Sequence, residues 1–372
     1  MSIAIFSISD QYKKFHRRPF INAISDTLVN ENIPLLYFKR PKWCLKVDKA
    51  YLAEEQVGNT RVFPLVTLLP SSWTLNNKVL RYLAVSLPIK WQVAKAGRKS
   101  GSKVSCLWFY KPDQSLYLQD LGIPYAYTHY DNYDGDTQYP FSKHKAYQNT
   151  LKSCIENSTV CFATSHRLVE RLSGISGDAK VVYLPNAVSE ALVSSTSTAS
   201  EPENVIGFVG SIDESTDENL IEKICIAYPS MSIRLIGKVN SFAISELAKR
   251  FDNLELPGLI PYEQLSSAMS SFKVGICPYR SSPFNQYRNP LKLYEYCAAG
   301  IPSVSSACDF DQEGKKLVNV AETDEAFIEL IGRAIDSDSL DLKESRQVFA
   351  KKNTWKIRAK QALSFIKQGS YD

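Results

Sequence analysis

The stretch Asn285–Ser306, NQYRNPLKLYEYCAAGIPSVSS, constrains the fold more than any other part of the chain. Pro290 suits the first turn of a helix, where its missing N–H would have no intrahelical partner anyway. Gly300 suits a left-handed C-cap, and Pro302 blocks any continuation. Ser303–Ser306 then reads as a short strand. On the helix between these stops, Lys292 and Glu295 share one face near the start. A cation and a carboxylate at a helix N-terminus suit a phosphate and a sugar diol respectively. An isolated Lys-x-x-Glu is ordinarily a surface ion pair worth little, so the surrounding sequence has to decide.

A chain of 372 residues is long for one core and predicts two domains. No apolar run approaches the ~20 residues that span a bilayer. The start, MSIAIFSISDQYKK, lacks the basic head and long apolar run of a signal peptide and reads as a buried strand. None of the eight cysteines forms a CxxC pair or a zinc pattern, and most sit in apolar runs such as VCFA and VGICPY. That is the usage of a reducing cytoplasm, with no structural metal expected. Charge is split along the chain: residues 1–186 carry 24 Lys/Arg against 14 Asp/Glu, and the remainder 20 against 25. Between Glu55 and Asp113 there is no acidic residue and there are nine basic ones. Two halves of opposite charge imply different partners.

Met1–Ser9 and Ile33–Phe38 read as strands flanking a helix with apolar positions at Phe20, Ile21, Ile24 and Leu28, an α/β opening that implies a parallel sheet. The loop after the first strand has no glycine, which excludes the dinucleotide fingerprint. Residues 61–103 interleave Trp73, Leu75, Val79, Leu80, Leu83, Val85, Leu87 and Trp91 with Lys78, Arg81, Lys90, Lys95, Arg98, Lys99 and Lys103. Spacing near three and four with uncompensated positive charge predicts a helix lying on an anionic membrane surface; a core helix with a solvated basic face is the competing reading. No nucleic-acid motif accompanies the basic run.

Val104–Tyr110 and Tyr125–His129 read as further strands, the second leading into the acidic cluster Tyr130-Asp131-Asn132-Tyr133-Asp134-Gly135-Asp136. Ligands of open α/β sheets bind at such carboxyl ends. Ser189–Asn204 is Ser/Thr-rich and reads as a linker. The strand–helix alternation then restarts at Val205–Val209, followed by Gly210-Ser211 and later by Gly237. Residues 310–338 read as acidic and helical, and Trp355–Ile366 as a last helix.

GFVGSI, LIG, LPGLIPYEQLSSAM, ICPY and NPLKLYEYCAAGIPSV, in that order, resemble the carboxy-terminal domain of GT-B glycosyltransferases. HRRPF, LWFYKP, YDNYDGD and ATSHRL…YLPNAV resemble bacterial polysaccharide and teichuronic-acid-type transferases, and more distantly the xanthan glucuronosyltransferase. The resemblance implies two Rossmann-like α/β/α domains facing a central cleft. Residues 1–188 would bind the acceptor and face the membrane, 189–204 would link, and 205–352 would bind the nucleotide-sugar donor. A C-terminal helix over 353–372 would return to the first domain. The reaction implied moves a sugar from a nucleotide diphosphate, UDP above others, to a growing or polyprenyl-diphosphate-linked glycan, on the inner face of the plasma membrane.

In that resemblance Glu295 accepts from the ribose hydroxyls and Lys292 meets the diphosphate. Arg288 and Arg280 compete for the same charge, Gly210, Ser211 and Gly237 shape the pocket with Asn289, Pro290 and Leu291, and Tyr279 packs near the base. Retaining members often carry a second glutamate eight residues earlier; here that position is Tyr287. Inversion is therefore expected, with a carboxylate taking the acceptor's proton. Asp134 matches the family's base best and Asp131 next, with turn-forming aspartates as the plain reading and His129 as an adjacent base or orienter. Neither a metal nor another cofactor is expected, although Asp134–Asp136 and Asp309–Asp311 are both DxD patterns. A nucleotide-sugar 2-epimerase of the same shape and a non-enzymatic sugar-nucleotide-binding protein are the alternatives.

Overall fold

The computed structural model describes residues 2–74, 76–131, 145–177, 179–194, 203–261 and 264–368. Its contacts fall into two compact units. The first takes in the chain up to Tyr130, the run ending at Leu184 and the last helix from Lys356; the second takes in Asp131 and the run from Pro185 to Trp355.

The first unit is built on strands β1 (Ser2–Phe6), β2 (Leu35–Phe38), β3 (Glu55–Val57), β4 (Thr60–Phe63), β5 (Val104–Phe109), β6 (Tyr125–His129), β7 (Val160–Ala163) and β8 (Val181–Tyr183). They lie in the order β8-β7-β6-β5-β1-β2-β4-β3, parallel except for the antiparallel edge strand β3. β1, β2 and β6 are buried along their whole length, as expected of parallel strands covered on both faces. Helix α1 (Arg18–Val29) buries Phe20, Ile21, Ile24 and Leu28, the face its sequence predicts. A helical run follows as α2 (Lys78–Arg81), a π turn over Tyr82–Ser86, and α3 (Leu87–Lys99). Helices α4 (Lys145–Glu156) and α5 (His166–Ser176) complete the alternation.

The second unit opens with α6 (Glu190–Ser194), which occupies the start of the stretch read as linker. Leu192 is buried in the core there, so those residues fold; 195–202 lie outside the described residues. Strands β9 (Val205–Val209), β10 (Ser232–Ile236), β11 (Leu254–Gly258), β12 (Phe272–Cys277), β13 (Ser303–Ser306) and β14 (Asn319–Ala321) form a parallel sheet in the order β11-β10-β9-β12-β13-β14. Its helices are α7 (Glu218–Ala227), α8 (Phe242–Arg250), α9 (Leu265–Ser270), α10 (Leu291–Ala299), α11 (Asp324–Asp336) and α12 (Leu340–Lys352); α13 (Trp355–Gln368) follows. The stretch 310–338, expected to be helical, contains β14, a three-residue edge strand too short to show alternation.

Gly300 ends α10 in the left-handed region at φ 75°, and a Cβ there would stand 2.7 Å from Lys343 of α12. Arg346, buried on α12, donates to the same Gly300 carbonyl from Nε (3.1 Å) and Nη2 (2.8 Å) and pairs with Asp338 at 2.6 Å. A cation on the orphan carbonyls of a helix end is favourable, and here it fixes α10 along its axis.

Candidate donor-binding site

In each sheet the strand order reverses beside the first strand, at β1/β5 in the first unit and at β9/β12 in the second. Ligands of doubly wound sheets bind outside the carboxyl ends of strands at that point. In the second unit, the loop after β9 holds Gly210 and Ser211, and the segment after β12 holds Tyr279 and Arg280. The loop is strapped on both sides: Ile212 N donates to Lys238 O (3.0 Å), Asp217 N to Pro278 O (2.9 Å) and Arg280 N to Ser215 O (2.9 Å).

α10 starts from Pro290 as N-cap, in extended backbone, and no side chain caps it. Its first-turn N–H groups therefore carry the positive end of the helix dipole without a protein cap, the arrangement that receives phosphate. Leu293, Tyr294, Tyr296 and Cys297 are fully buried, so the helix sits in the core and its start is rigid. Lys292 Nζ donates to Glu295 Oε2 at 2.8 Å, with the lysine side chain 20% exposed and the glutamate 4%. This pair is not the solvated surface pair of the plain reading. A buried ion pair is weakly stabilising at best, so a function is the better reason to keep it.

The glycine turn comes up against Lys292. A Cβ on Gly210 would lie 3.6 Å from Lys292 Cε. Gly237, at the end of β10, approaches so closely that a Cβ would stand 1.7 Å from the Gly210 carbonyl oxygen. Any side chain at 237 displaces the turn.

The two arginines separate. Arg280 pairs with Glu218 and donates from Nε to the Glu214 carbonyl (3.3 Å), which ties it to α7. Arg288 lies with its guanidinium 4.5 Å over the Tyr279 ring and 5.6 Å from Phe284, and Nη1 donates to Asn285 Oδ1 at 3.2 Å and Ser215 Oγ at 3.4 Å. Tyr279 is thus a platform for Arg288, and burial pushes its phenol well above the ordinary value. Asn289, expected in the pocket, is 3% exposed and used by the fold. It accepts from Asn186 N (3.0 Å) and donates to the Asp309 carbonyl (3.0 Å), while Asn186 Nδ2 donates to the Asn289 carbonyl (2.6 Å). That clasp holds Pro290 and Leu291 at the helix start.

Sequence reasoning passed over Asp213. Its Oδ1 accepts from Ser215 N (3.0 Å) and Ser215 Oγ (2.7 Å), beside the group to which Arg288 donates. Burial opposes its charge, but hydrogen bonds from Ser215 and Ser211 and the Arg288 charge hold its carboxyl below the ordinary value. A single aspartate in a turn carries no sequence signal of its own.

Asp131 follows Tyr130 off the end of β6 and is half-buried. Asp134 and Asp136 lie outside the described residues. His129 is 1% exposed, with Nδ1 2.7 Å from the Tyr127 hydroxyl. Burial first, and the Arg171 charge second, lower it to about 3. Its burial in β6 fits the plain reading of a core-strand histidine. The loop after β1 adds a group that its pattern did not disclose: Arg17 is 8% exposed with its guanidinium 5.0 Å over Tyr130.

Among the described residues no His/Cys/Asp/Glu cluster has the geometry of a metal site. Asp311 instead caps a turn, accepting from Glu313 N at 2.9 Å.

Two doubly wound α/β units in one chain, the second with a phosphate-ready helix start at its switch point, define the fold of the GT-B glycosyltransferases. Residues 203–337 match the family model described as "Glycosyl transferases group 1". A Bacillus subtilis (strain 168) protein named for teichuronic acid biosynthesis, the glycosyltransferase TuaH, is 31% identical over 104 residues, which is 27% of this chain and 26% of that protein. The matched stretch thus spans about a quarter of that relative. Sucrose-phosphate synthase from Thermosynechococcus elongatus superposes with a TM-score of 0.72 at 14% identity, covering 99% of this chain and 98% of the other. Anabaena Alr3699/HepE, solved with UDP and glucose, gives 0.67 at 12% identity over 99% and 100%. The lipopolysaccharide outer core galactosyltransferase WaaB gives 0.65 at 13% over 99% of each chain.

Proposed function

We propose that this protein is a glycosyltransferase of polysaccharide biosynthesis that takes a sugar from a nucleotide diphosphate, UDP, and passes it to a lipid-linked glycan. The observation that carries the reading is the uncapped start of α10, where Lys292, paired with Glu295, lies against Gly210. The group 1 match over the same unit and the UDP in the HepE structure support it.

In this reading the helix start, Lys292 and Arg288 take the charge that develops on the departing diphosphate, and Glu295 accepts from the ribose diol. Two cations already positioned stabilise the leaving group without a divalent ion, so transfer is expected to survive chelation. The acceptor hydroxyl is deprotonated by an aspartate of the acidic stretch after β6, Asp134 or Asp131, as it attacks the anomeric carbon, and the linkage inverts.

The acceptor side supports a lipid carrier. Val79, Leu83, Leu87 and Trp91, spaced by four along α2, the π turn and α3, are 70, 53, 45 and 59% exposed. Lys78, Lys90 and Lys95 are exposed beside them, and Lys95 Nζ lies 5.1 Å over the Trp91 ring. The interleaving expected from sequence is resolved by burial: Val85 points into the core, and Trp73 sits in the preceding short turn, 5.4 Å from Trp43. Among the described residues no helix is long and apolar enough to cross a membrane. The exposed stripe suits contact with an anionic cytoplasmic leaflet.

The test is incubation with UDP-, GDP- and dTDP-sugars, with and without a polyprenyl-diphosphate glycan. UDP release that needs both donor and acceptor supports the reading. Epimerised sugar nucleotide formed without acceptor would instead show an isomerase.

A further inference from the structure

Each of the two cations assigned to the diphosphate has a carboxylate beside it: Lys292 pairs with Glu295, and Arg288 shares the Ser215 hydroxyl with Asp213. Glu295 has a task in the ribose diol. Asp213 has none in the reading above. It sits in the loop after β9, on the switch-point side of the sheet, strapped between the residues following β10 and those following β12. Ser215 N and Oγ both bond its Oδ1, and the Ser215 hydroxyl in turn accepts from Arg288. Asp213 is therefore held in one orientation, half-buried, next to a cation of the diphosphate subsite.

An ionised carboxylate there repels phosphate and attracts hydroxyl donors, since it is acceptor-only and its hydrogen bonds are charge-assisted. The group attached to the diphosphate is the donor's sugar, whose hydroxyls are such donors.

We infer that Asp213 reads the hydroxyl groups of the donor sugar and restricts the donor to neutral sugars, excluding uronic acids. This deepens the proposed glycosyl transfer and rests on it. The charges agree. Arg288 and Lys292, the latter already paired with Glu295, leave no positive charge to spare beyond a diphosphate, and Arg280 is closed by Glu218. A uronate would bring a third negative charge beside Asp213, and like charges at close quarters are strongly disfavoured. The nearest further cation along these loops, Lys238, has an exposed side chain, where water and salt screen it.

The experiment compares wild type with Asp213→Asn and Asp213→Ser, using UDP, UDP-glucose, UDP-N-acetylglucosamine and UDP-glucuronate. UDP binding, read by calorimetry, should weaken by no more than about threefold in the variants, because UDP lacks the sugar and no longer meets a repelling carboxylate. The kcat/KM for the neutral donor should fall by about 10- to 100-fold in both variants, the size of a lost charged hydrogen bond. UDP-glucuronate should compete at least about tenfold more weakly than a neutral sugar nucleotide against wild type, and Asp213→Asn should narrow that gap. Transfer from UDP-glucuronate by wild type, or equal losses of UDP and UDP-sugar affinity in the variants, would overturn the inference and leave the glycosyltransferase reading standing. Absence of UDP binding to wild type would instead remove that reading, and Asp213's role with it.

Discussion

Lysine sits in two opposite settings in the two units. Lys292 is a mostly buried cation held by a carboxylate on a helix whose body is core. Lys78, Lys90 and Lys95 are exposed cations on a helical run whose outward face is apolar. The first setting fixes one charge in one place, which suits a small multiply charged ligand. The second leaves several charges mobile above an apolar stripe, which suits a diffuse anionic surface. The same side chain is thus made specific or unspecific by what packs around its stem.

The comparison is broken most severely at the glycine crossing. Gly237→Ala forces a Cβ into the Gly210 carbonyl. It should lower stability by about 3 kcal/mol or more on overpacking grounds and abolish UDP binding in whatever folds, measured by urea unfolding and calorimetry. Unchanged stability and affinity would mean the turn is not fixed by this contact. Next, Lys292→Met should reduce kcat by about 100-fold or more by removing charge from the diphosphate. Glu295→Gln should act mainly on donor KM; equal effects on kcat would remove the division of labour between the two.

Smaller effects sharpen the contrast. Arg288→Lys keeps the charge but loses the planar stack on Tyr279, and should lower kcat/KM by about tenfold, whereas Arg280→Ala should change it by less than about twofold. Similar losses from both would return Arg280 to the site. Replacing Leu83, Leu87 and Trp91 together with Ser should reduce binding to vesicles containing phosphatidylglycerol by about tenfold or more, since burying one such side chain is worth roughly 1.5–3 kcal/mol. Activity on a water-soluble acceptor should not change.

A separate prediction concerns His129. Its folded-state pKa of about 3 lies below the unfolded value of about 6.5, so the unfolded chain binds more protons between those values. Its contribution to stability is present above pH ~6.5 and is lost as pH falls toward 3. A His129→Gln variant that still folds should show a pH slope of unfolding shallower by about 1.4 kcal/mol per pH unit at most across that window.

Much of the second unit was legible because its signals are local. Pro290, Gly300 and Pro302 bracket α10, and the strand Ser303–Ser306 has the bounds its sequence predicts. Features that depend on what packs where were not legible. Nothing in the pattern of 61–103 separates Val85, which is buried, from Leu83, which is exposed; the π turn over Tyr82–Ser86 sets that division. Asn289 reads as a pocket residue beside Pro290 until its bonds to Asn186 appear across the sequence. Arg280 and Arg288 are equivalent in sequence, and only Glu218 and the Tyr279 ring tell them apart. The edge strand Asn319–Ala321 and the folded Glu190–Ser194 were hidden by brevity and by serine-rich composition.

The central claim is that a nucleotide diphosphate occupies the start of α10 against the Gly210–Ser211 turn. The most direct measurement is photolabelling with a diphosphate-reactive UDP-sugar analogue, followed by peptide mapping. The account predicts labels confined to the peptides carrying 210–216, 237–240 and 288–295, suppressed by excess UDP and lost in Lys292→Met. UDP-protected labelling centred on other peptides, or labelling that Lys292→Met leaves unchanged, would contradict it.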